Sequence, residues 1–434
     1  MSVVTISQFV ETKYRDFWKQ SNINRNTFLP HEQLMTIERR IIWSAFKIGM
    51  ANLNNVFKMN ELAGEVAKYH VAGDSSIYDS IKGLATNYKR QPAARIIKGI
   101  GNVGSGPGDP GAAPRYLSVS GTPLLQAIIK DLPFVPYVVD EEGVQEPKYV
   151  STPIPMVLVN GKISIGTGRA AYVDERDPYE VIDWIEALSE GLEVEPPAPI
   201  SSTGCITYKR ENGYTYYDAV IHKERRRDVI TALPPQVTPE SVITALKKKH
   251  PSLAKYDMDG SGKGRPVWIE VPSGYISEDT FTKYNLRTAR KEAPYVWDEE
   301  LDTMRLATLE ELATSWFEDR KAVVAKRIES EIAKLQKEAH KIAVVRRYVE
   351  EKLGEKSVDE IYAAFGYEDA EMVLNQPAKA FLPSSIEKGK EREAEIAEEV
   401  AAEKSRLEDV GKVVLAEARA VVAKQNEFDW GTGD

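Results

Sequence analysis

The residues best suited to chemistry lie between Glu61 and Tyr116. There GEVAKYHVAGDSSIYDSI is followed, after a short gap, by the glycine-rich segment GIGNVGSGPGDPGAAPRYLSV, which contains the pair Arg115-Tyr116. Glycines let a backbone approach a ligand closely, and a loop rich in N–H groups suits phosphate. A tyrosine hydroxyl, with a pKa of about 10, is a weak nucleophile that a neighbouring guanidinium can activate by stabilising phenolate charge and gripping a phosphate. His70 could add a proton or charge contact.

Residue types alone leave a second interpretation open. Most tyrosines pack in cores or on surfaces, and a glycine-rich loop is more often a turn than a phosphate cradle. By spacing alone, Tyr116 is therefore either a packing residue or a nucleophile.

The segments that precede the glycine-rich loop, and that must position these residues, have helical patterns. A Gly-Asp turn interrupts the first helical pattern, after which SSIYDSIKGLA can begin a new helix capped by Asp74 or Ser75. The segment that follows is too rich in glycine for regular structure, so the pair Arg115-Tyr116 is expected after a loop.

Charge is distributed unevenly along the 434 residues. The formal net charge is −9, which by itself argues against non-specific binding to nucleic acid. Between Ser80 and Lys130, however, Asp109 is the one acidic residue among several basic ones, namely Lys82, Lys89, Arg90, Arg95, Lys98, Arg115 and Lys130. Local charge therefore suits a polyanion.

The single cysteine, Cys205, excludes an internal disulfide or a cysteine-rich zinc site and fits a reducing compartment. The five histidines have no metal-ligand spacing, so no metal site is expected on this chain. The first residues lack the pattern of a signal peptide, and no segment is apolar enough for a membrane span. These features predict a cytoplasmic protein with no membrane partner.

The composition divides the chain into three predicted domains and favours a multidomain α+β class. Residues 1–169 mix apolar helical stretches with Gly/Pro punctuation. Residues 170–305 begin with the helical YEVIDWIEAL and continue with strand-like alternation in TGCITYKRENGYTYYDAVIHK and GRPVWIEV. Residues 306–434 are almost entirely helical.

Two narrow apolar stripes in the last domain predict two long helices that pair as an antiparallel coiled coil. The stripes run from Val324 to Val349 and from Ile396 to Val421. The segment of about 352–388 between them is expected to form a globule. Its apolar residues Ile361, Phe365 and Phe381 either form a dimer contact or cap the coil, and the final QNEFDWGTGD is expected to be frayed.

Five collinear segments resemble motifs of the type IIA DNA topoisomerase breakage–reunion subunit, as in gyrase A and topoisomerase IV A. KYHVAGDSSIYDSI resembles KYHPHGDxAxYDA, GIGNVGS resembles GQGNFGS, and PRYLSV resembles xRYTEx, the motif that carries the active-site tyrosine. PIPMVLVNGKISIGTGRA is similar to KIPNLLVNGSxGIAVGMA, and WFEDRKAVVAKRIESEIAKLQKEAHKI is similar to FLEHRxxVVxRRxxxELxKAxxRAHIL. These segments cover most of the chain, and the short phage medium subunit is the nearest likeness.

The resemblance implies a role for each matching residue. Tyr116 would attack the scissile phosphate, with Arg115 beside it as transition-state stabiliser and with His70, Arg25 and Arg40 in support. Ile165 would wedge between bases and bend the DNA. The other residues that the resemblance assigns to DNA binding are Lys68, Asn102, Ser105 and Lys98. The fold implied is a winged-helix DNA-cleavage head, an α/β tower domain and a coiled-coil arm with a C-gate dimer globule.

Three departures from the family pattern put fine substrate contacts and quinolone-type drug sensitivity in doubt. The second histidine of the signature is Ala72, and the glutamine of GQGNFGS is Ile100. The family's GLKP is QLMT here, from Gln33 to Thr36, so that a glycine, a lysine and a proline are lost. Tyr116, Arg115 and His70 are retained.

The resemblance also implies partners and cofactors. Cleavage of both strands of double-stranded DNA needs two tyrosines and therefore a homodimer. Mg²⁺ and ATP would be held by a separate gyrase B-like TOPRIM/ATPase chain, giving a heterotetramer or larger assembly. Because the family's DNA-wrapping domain is missing from the sequence, we expect relaxation and decatenation rather than supercoiling.

Two other functions remain possible on the sequence. One is a non-catalytic DNA-binding coiled-coil dimer scaffold, with a basic head and no chemistry. The other is a metal-dependent nuclease that uses Asp257 and Asp259. We favour a turn before a strand at these aspartates, since the family has a similar turn there with no metal role.

Overall fold

The mixture of helices and strands predicted from the sequence is confirmed by the computed structural model, which describes residues 5–70, 73–86, 91–104, 109–139, 143–255 and 267–431. The chain divides into two compact units. The first unit comprises Met1–Arg320 and Leu415–Asp434, and the second comprises Lys321–Val414. The aspartates proposed for a nuclease, Asp257 and Asp259, lie outside the described residues, as does Ser105.

The head of the first unit is built on a three-stranded antiparallel sheet. Strand β3 (Ser118–Gly121) is central and pairs with β1 (Val56–Lys58) and β2 (Ile97–Ile100). The end of β2 and the start of β3 fall within the segment predicted to be irregular. The helices around the sheet are α1 (Ile6–Phe9), α2 (Arg15–Arg25), α3 (Thr36–Lys47), α4 (Met59–Val66), α5 (Asp74–Ala85) and α6 (Pro123–Asp131). A π-helical turn, Val10–Tyr14, joins α1 to α2.

Helix α5 illustrates how the sequence directs this packing. Ile77, Ile81 and Leu84 recur at steps of four and three and are buried, so one face of the helix is apolar. Burial of each such side chain stabilises the fold by about 1.5–3 kcal/mol. The helix begins where predicted, but Gly73 is the N-cap and no side chain caps it; capping by Asp74 or Ser75 was the wrong prediction.

Paired strands and the short helix α7 (Met156–Asn160) follow the head. The hairpins are β4 (Tyr137–Val139) with β5 (Gln145–Pro147), and β6 (Lys162–Ile165) with β7 (Ala170–Val173). Strand β8 (Glu175–Arg176) pairs with β9 (Pro199–Ile200), and the predicted helix α8 (Pro178–Ser189) lies between them in sequence.

Two further antiparallel sheets make up the rest of this region. One has the order β10 (Ile206–Lys209), β11 (Tyr214–Asp218), β15 (Arg287–Lys291), and the other has the order β12 (Val220–Lys223), β13 (Arg227–Ala232), β14 (Ile269–Pro272). Helix α9 (Pro239–Lys249) buries Val242 and Leu246 in a core shared with Ile230 and Ile269. A last hairpin joins β16 (Tyr295–Asp298) to β17 (Thr303–Leu306).

Helix α10 (Leu309–Glu350) is anchored in the first unit by polar contacts near its start. Arg320 lies 2.6 Å from Asp131 with both side chains almost fully buried, and Trp316 donates a hydrogen bond to the carbonyl of Thr152. A buried ion pair adds little net stability, but removal of one partner would strand a charge.

In the second unit, α10 runs antiparallel to α13 (Pro383–Glu408). Ion pairs join Arg392 to Glu338 at 3.0 Å and Lys390 to Glu350 at 3.3 Å. Between them in sequence lie α11 (Val358–Phe365) and α12 (Tyr367–Leu374). The second apolar stripe is not one continuous helix as predicted, because the chain breaks at Asp409 before α14 (Val410–Glu427).

The aromatic residues of the segment between the paired helices pack onto α10. Arg347 stacks on Phe365 at 4.9 Å, and Tyr348 lies 5.1 Å from Phe381, centre to centre. Ile361 is buried. These contacts within the chain are those expected of the capping role, whereas the dimer contact stays a prediction.

Among the residues that the structure describes, none of the helices combines the length and apolar character needed to cross a bilayer.

Candidate functional site

Tyr116 ends a short 3₁₀ turn, Pro114–Tyr116, at the entrance to the central strand β3. The next residue, Leu117, is fully buried, and its carbonyl accepts a hydrogen bond from the N–H of Met59 at the start of α4. The backbone is therefore fixed on the sheet, whereas the Tyr116 side chain is 67% exposed. The Arg115 guanidinium lies 4.8 Å from the centre of the Tyr116 ring. A phenol so placed is accessible to a large substrate and has a cation beside it.

The glycine-rich loop (residues 101–113) is closed at its base by backbone contacts. The N–H of Ala112 donates to the carbonyl of Asn102 at 2.7 Å. A Cβ at Gly111, which has a φ of 65°, would lie only 2.6 Å from that carbonyl oxygen, so only glycine fits. A Cβ at Gly101 would lie 3.5 Å from the backbone oxygen of Tyr116. The loop is thus packed against the backbone of Tyr116.

Lys82, on α5, holds this loop from the side. Its Nζ donates to the carbonyl of Pro110 at 2.8 Å and to that of Ala112 at 3.0 Å. These carbonyls lie a few residues before Tyr116, so the lysine fixes the approach of the chain to Tyr116. Lys82 was recognised in the sequence only as one of several basic residues, and no motif marked this role.

Arg40 and His70 are brought together as part of a charged cluster. Arg40, on α3, donates from Nε and Nη2 to the two carboxylate oxygens of Glu146 at 2.8 and 2.7 Å. Its Nη1 lies 3.2 Å from Nδ1 of His70. Burial, and next the charge of Arg40, lowers the pKa of His70, while Glu146 acts in the opposite direction. Glu146 was missed in the sequence, where nothing distinguished it from other acidic residues.

The tautomer of His70 follows from this contact. A guanidinium only donates hydrogen bonds, so Nδ1 must accept and the proton of the neutral imidazole must be on Nε2. His70 is therefore a neutral donor through Nε2, available to an anionic substrate.

Arg25, the last residue of α2, lines a cleft of about 850 Å³. Lys82 and Lys162 line the same cleft together with residues of the glycine-rich loop, and four carboxylates do so as well: Glu38, Asp79, Asp109 and Glu175. Two of these carboxylates accept backbone hydrogen bonds, and a third has a raised pKa. Glu38 accepts from the N–H of Met35, Asp109 accepts from the N–H of Gly111, and burial raises the pKa of Glu175 to about 7.

Ile165 lies at the exposed end of the β6–β7 hairpin, with 77% of its surface accessible. The hairpin is held by α2. Trp18 donates to the carbonyl of Thr167, and a Cβ at Gly166 would lie 2.2 Å from the side-chain oxygen of Asn22. The tip of the hairpin is therefore packed against α2, while the apolar Ile165 side chain projects from it.

The remaining sequence-predicted DNA-binding residues differ in their surroundings. Lys68 is exposed and pairs with Glu65 at 2.6 Å. Asn102 accepts a hydrogen bond from the N–H of Gly104. Lys98 donates to the carbonyl of Asp429 at 2.6 Å and lies 5.4 Å from the ring centre of Phe428.

The contact of Lys98 is one of several that dock the chain as far as Gly431, so the expectation of fraying is wrong for residues 425–431. The Trp430 ring stacks on Arg95 at 3.5 Å, and Gln425 donates to the carbonyl of Arg95 at 2.8 Å. Aromatic side chains at Phe428 and Trp430 supply cation–π contacts to two basic residues near β2. The composition of the tail predicted fraying because it gives no information about the contacts with Arg95 and Lys98.

Within the described residues, Arg115 contacts Tyr116 and Arg40 contacts His70, whereas no hydrogen bond or ring contact links Tyr116 to Arg25, Arg40 or His70. The described ranges contain no group of three or more His, Cys, Asp or Glu side chains placed to hold a metal ion. The arrangement therefore offers an exposed phenol, a neutral imidazole and several cations.

The chain is similar to known proteins over most of its length. The family model for the DNA gyrase/topoisomerase IV A subunit matches residues 34–418. The DNA gyrase A subunit of Borreliella burgdorferi is 25% identical over 382 residues, which are 78% of this chain and 45% of that protein. The DNA gyrase A subunit of Thermotoga maritima is 27% identical over 344 residues, which are 71% of this chain and 42% of that protein.

The chain therefore belongs to the family of DNA gyrase/topoisomerase IV A subunits. It spans less than half the length of these two curated relatives.

Proposed function

We propose that this chain is the DNA-cleaving and DNA-rejoining subunit of a type IIA topoisomerase, with Tyr116 as the nucleophile. The observation that carries the proposal is the exposed Tyr116 side chain with Arg115 against its ring, at the end of a loop that Lys82 clamps. Membership of the gyrase A family supports it.

The chemistry proposed is a transesterification. Oη of Tyr116 attacks the scissile phosphorus, the bond between phosphorus and the 3′ oxygen breaks, and the 5′ end stays on the protein as a phosphotyrosyl ester. The Tyr116 hydroxyl gives up its proton as it attacks, and the 3′ oxygen takes up a proton and leaves as a hydroxyl, so that no net proton is gained or lost. Because the ester retains the energy of the phosphodiester, the reverse attack reseals the strand without further input.

The other site residues are proposed to act on charge and shape. Arg115 would stabilise the developing phenolate and the phosphate oxygens. Arg40 and the Nε2–H of His70 would contact phosphate, and Arg25 would do so from the cleft. Ile165 would insert between bases and bend the duplex. Lys68, Asn102, Ser105 and Lys98 would contact the backbone, Lys98 only after it releases Asp429.

The assembly proposed is a homodimer, since one tyrosine cuts one strand, joined by a gyrase B-like subunit. That subunit would hold Mg²⁺, which neutralises phosphate charge during transfer, and ATP. Within this chain, the proposed parts are a winged-helix head, a tower domain and a coiled-coil arm. The likeness to a phage medium subunit stays a prediction of the sequence.

The test is covalent trapping. The chain, combined with a gyrase B-type subunit, Mg²⁺ and plasmid, is denatured during the reaction, and the DNA ends are analysed for attached peptide. We expect Tyr116 on the 5′ ends, and we expect Tyr116→Phe to remove the adduct while duplex binding survives. The matched control, Tyr78→Phe, should leave the adduct in place. Binding without any adduct would favour the scaffold alternative.

A further inference from the structure

We propose that Lys162 is a phosphate-binding residue of the cleavage site, where it supplies a positive charge that the family motif places at residue 35; this rests on the proposed function. Nζ of Lys162 lies 2.6 Å from Sδ of Met35 and 4.7 Å from the ring centre of Phe28. The two residues come from separate elements, 127 positions apart in sequence.

This chain differs from the family motifs at both positions. In QLMT, Met35 stands where GLKP has its lysine. In VLVNGKISIG, Lys162 stands where LLVNGSxGIA has its serine. A lysine is thus lost at one position and gained at another, and the structure brings the two positions into contact. A lysine at residue 162 therefore places its ammonium beside residue 35, where the motif has a lysine.

Physical chemistry explains why the two changes belong together. Lysines at both positions would put two ammonium groups in contact at a half-buried site, where like charges repel strongly. A methionine avoids this, since its thioether is flexible, polarisable and a weak acceptor. Phe28 adds the face of its ring, which attracts the ammonium.

The hairpin fixes the direction of the Lys162 side chain. Alternate residues of a strand share a face, so Lys162 lies on the face of Ser164, whose Oγ donates to the carbonyl of Asn26 at 2.9 Å. Ile165 lies on the opposite, exposed face. Lys162 lines the cleft with Arg25 and Lys82, as do its strand neighbours Ile163 and Ser164.

The cleft brings basic residues close to the loop that precedes Tyr116. Lys82 ties one wall to that loop, and Arg25 ends the helix that holds the hairpin of Ile165. Four carboxylates also line the cleft, and two of them accept backbone hydrogen bonds. A phosphate bound by Lys162 would therefore lie beside the loop before Tyr116, whereas Ile165 projects from the other face of the hairpin.

The experiment measures binding of the 434-residue chain to a linear duplex at several KCl concentrations. Lys162→Ser should weaken binding about ten-fold, and the slope of log affinity against log salt should become shallower by about one. Met35→Lys alone should not strengthen binding, because it places two like charges together. The double variant Met35→Lys/Lys162→Ser should restore affinity and slope.

Two controls keep the result interpretable. Lys334→Ser removes an exposed lysine from the second unit and should leave the slope unchanged. If Lys162→Ser lowers the melting temperature, Lys162→Met, which keeps the apolar stem, replaces it.

The proposal is overturned if a folded Lys162 variant keeps the parent's affinity and salt slope, or if the double variant binds no better than Lys162→Ser. Failure of the proposed function would look different. The parent complex would then form no Tyr116 adduct, while the salt slope would still report whether Lys162 contacts phosphate.

Discussion

Nη1 of Arg40 lies 3.2 Å from Nδ1 of His70, and this contact fixes the histidine as a neutral donor through Nε2. Glu146 holds Arg40 in place through both carboxylate oxygens. The three side chains make one electrostatic unit in which Arg40 lowers and Glu146 raises the pKa of His70.

Replacement of Arg40 by glutamine should raise the pKa of His70. The substitution removes a positive charge that lowers this pKa and leaves Glu146, which raises it, without its partner. NMR titration of the His70 ring would measure the shift, and the acid limb of adduct formation should move to higher pH. Glu146→Gln should move both in the opposite direction. Equal titration curves for the two variants would contradict the electrostatic account.

The lowered pKa of His70 also makes the stability of the fold depend on pH. Because the pKa of folded His70 lies below its ordinary value of 6.5, the unfolded chain takes up the proton first as pH falls. Above pH 6.5, His70 therefore does not change the free energy of unfolding. As the pH falls from 6.5 through the pKa of the folded state, His70 lowers that free energy. In Arg40→Gln this acid-dependent loss, followed by urea unfolding at successive pH values, should be smaller.

Lys82 should act mainly by positioning the loop before Tyr116. Lys82→Met and Lys82→Gln remove the same charge, but the glutamine amide can still donate to the Pro110 or Ala112 carbonyl. We expect adduct formation to fall about ten-fold or more in Lys82→Met, because small displacements of a nucleophile are costly, and to recover partly in Lys82→Gln. Equal adduct rates in the two variants would point to charge alone.

Gln33 should stabilise the fold more than the glycine of the family motif would at the same position. Its φ of 59° is strained for a residue with a Cβ, at a cost of about 1–3 kcal/mol. Its buried side chain, however, donates to the carbonyl of Leu312 at 2.8 Å and accepts from the N–H of Val157 at 3.1 Å.

Gln33→Gly should therefore lower the free energy of unfolding by about 1–3 kcal/mol, because two buried groups lose partners at about 1–3 kcal/mol each and the relieved strain offsets only part of this. Urea unfolding would measure it. Gln33→Asn tolerates the backbone but is too short to make both bonds, so it should also be destabilised. A stabilised Gln33→Gly would show that strain outweighs the hydrogen bonds.

Trp430 should stabilise the first unit through Arg95. Burial lowers the pKa of Arg95 to about 10, and the indole covers its guanidinium at 3.5 Å. Trp430→Ala should lower the melting temperature through loss of a contact worth about 0.5–2 kcal/mol, and Trp430→Phe should lower it less. Limited proteolysis should then release the end of the chain sooner. An unchanged rate of cleavage would show that the contact of Trp430 with Arg95 does not protect this end of the chain.

The sequence by itself determined the local features of this protein. Apolar residues at helical spacing predicted α5 and α8, and alternation with an Asn-Gly turn predicted β10 and β11, because these signals depend on neighbours in the chain. The motif order singled out Arg115 and Tyr116, and the structure shows a contact between the Arg115 guanidinium and the exposed Tyr116 ring.

The tertiary structure alone decided which distant residues meet. Glu146 joins Arg40 across 106 positions, and Lys162 meets Met35 across 127, although nothing in either local sequence marks the partner. The docking of Trp430 on Arg95 overturned a composition-based expectation of fraying for the same reason. Side-chain identity and spacing set what each residue can donate, accept or bury, but long-range packing sets the distance on which its charge and chemistry depend.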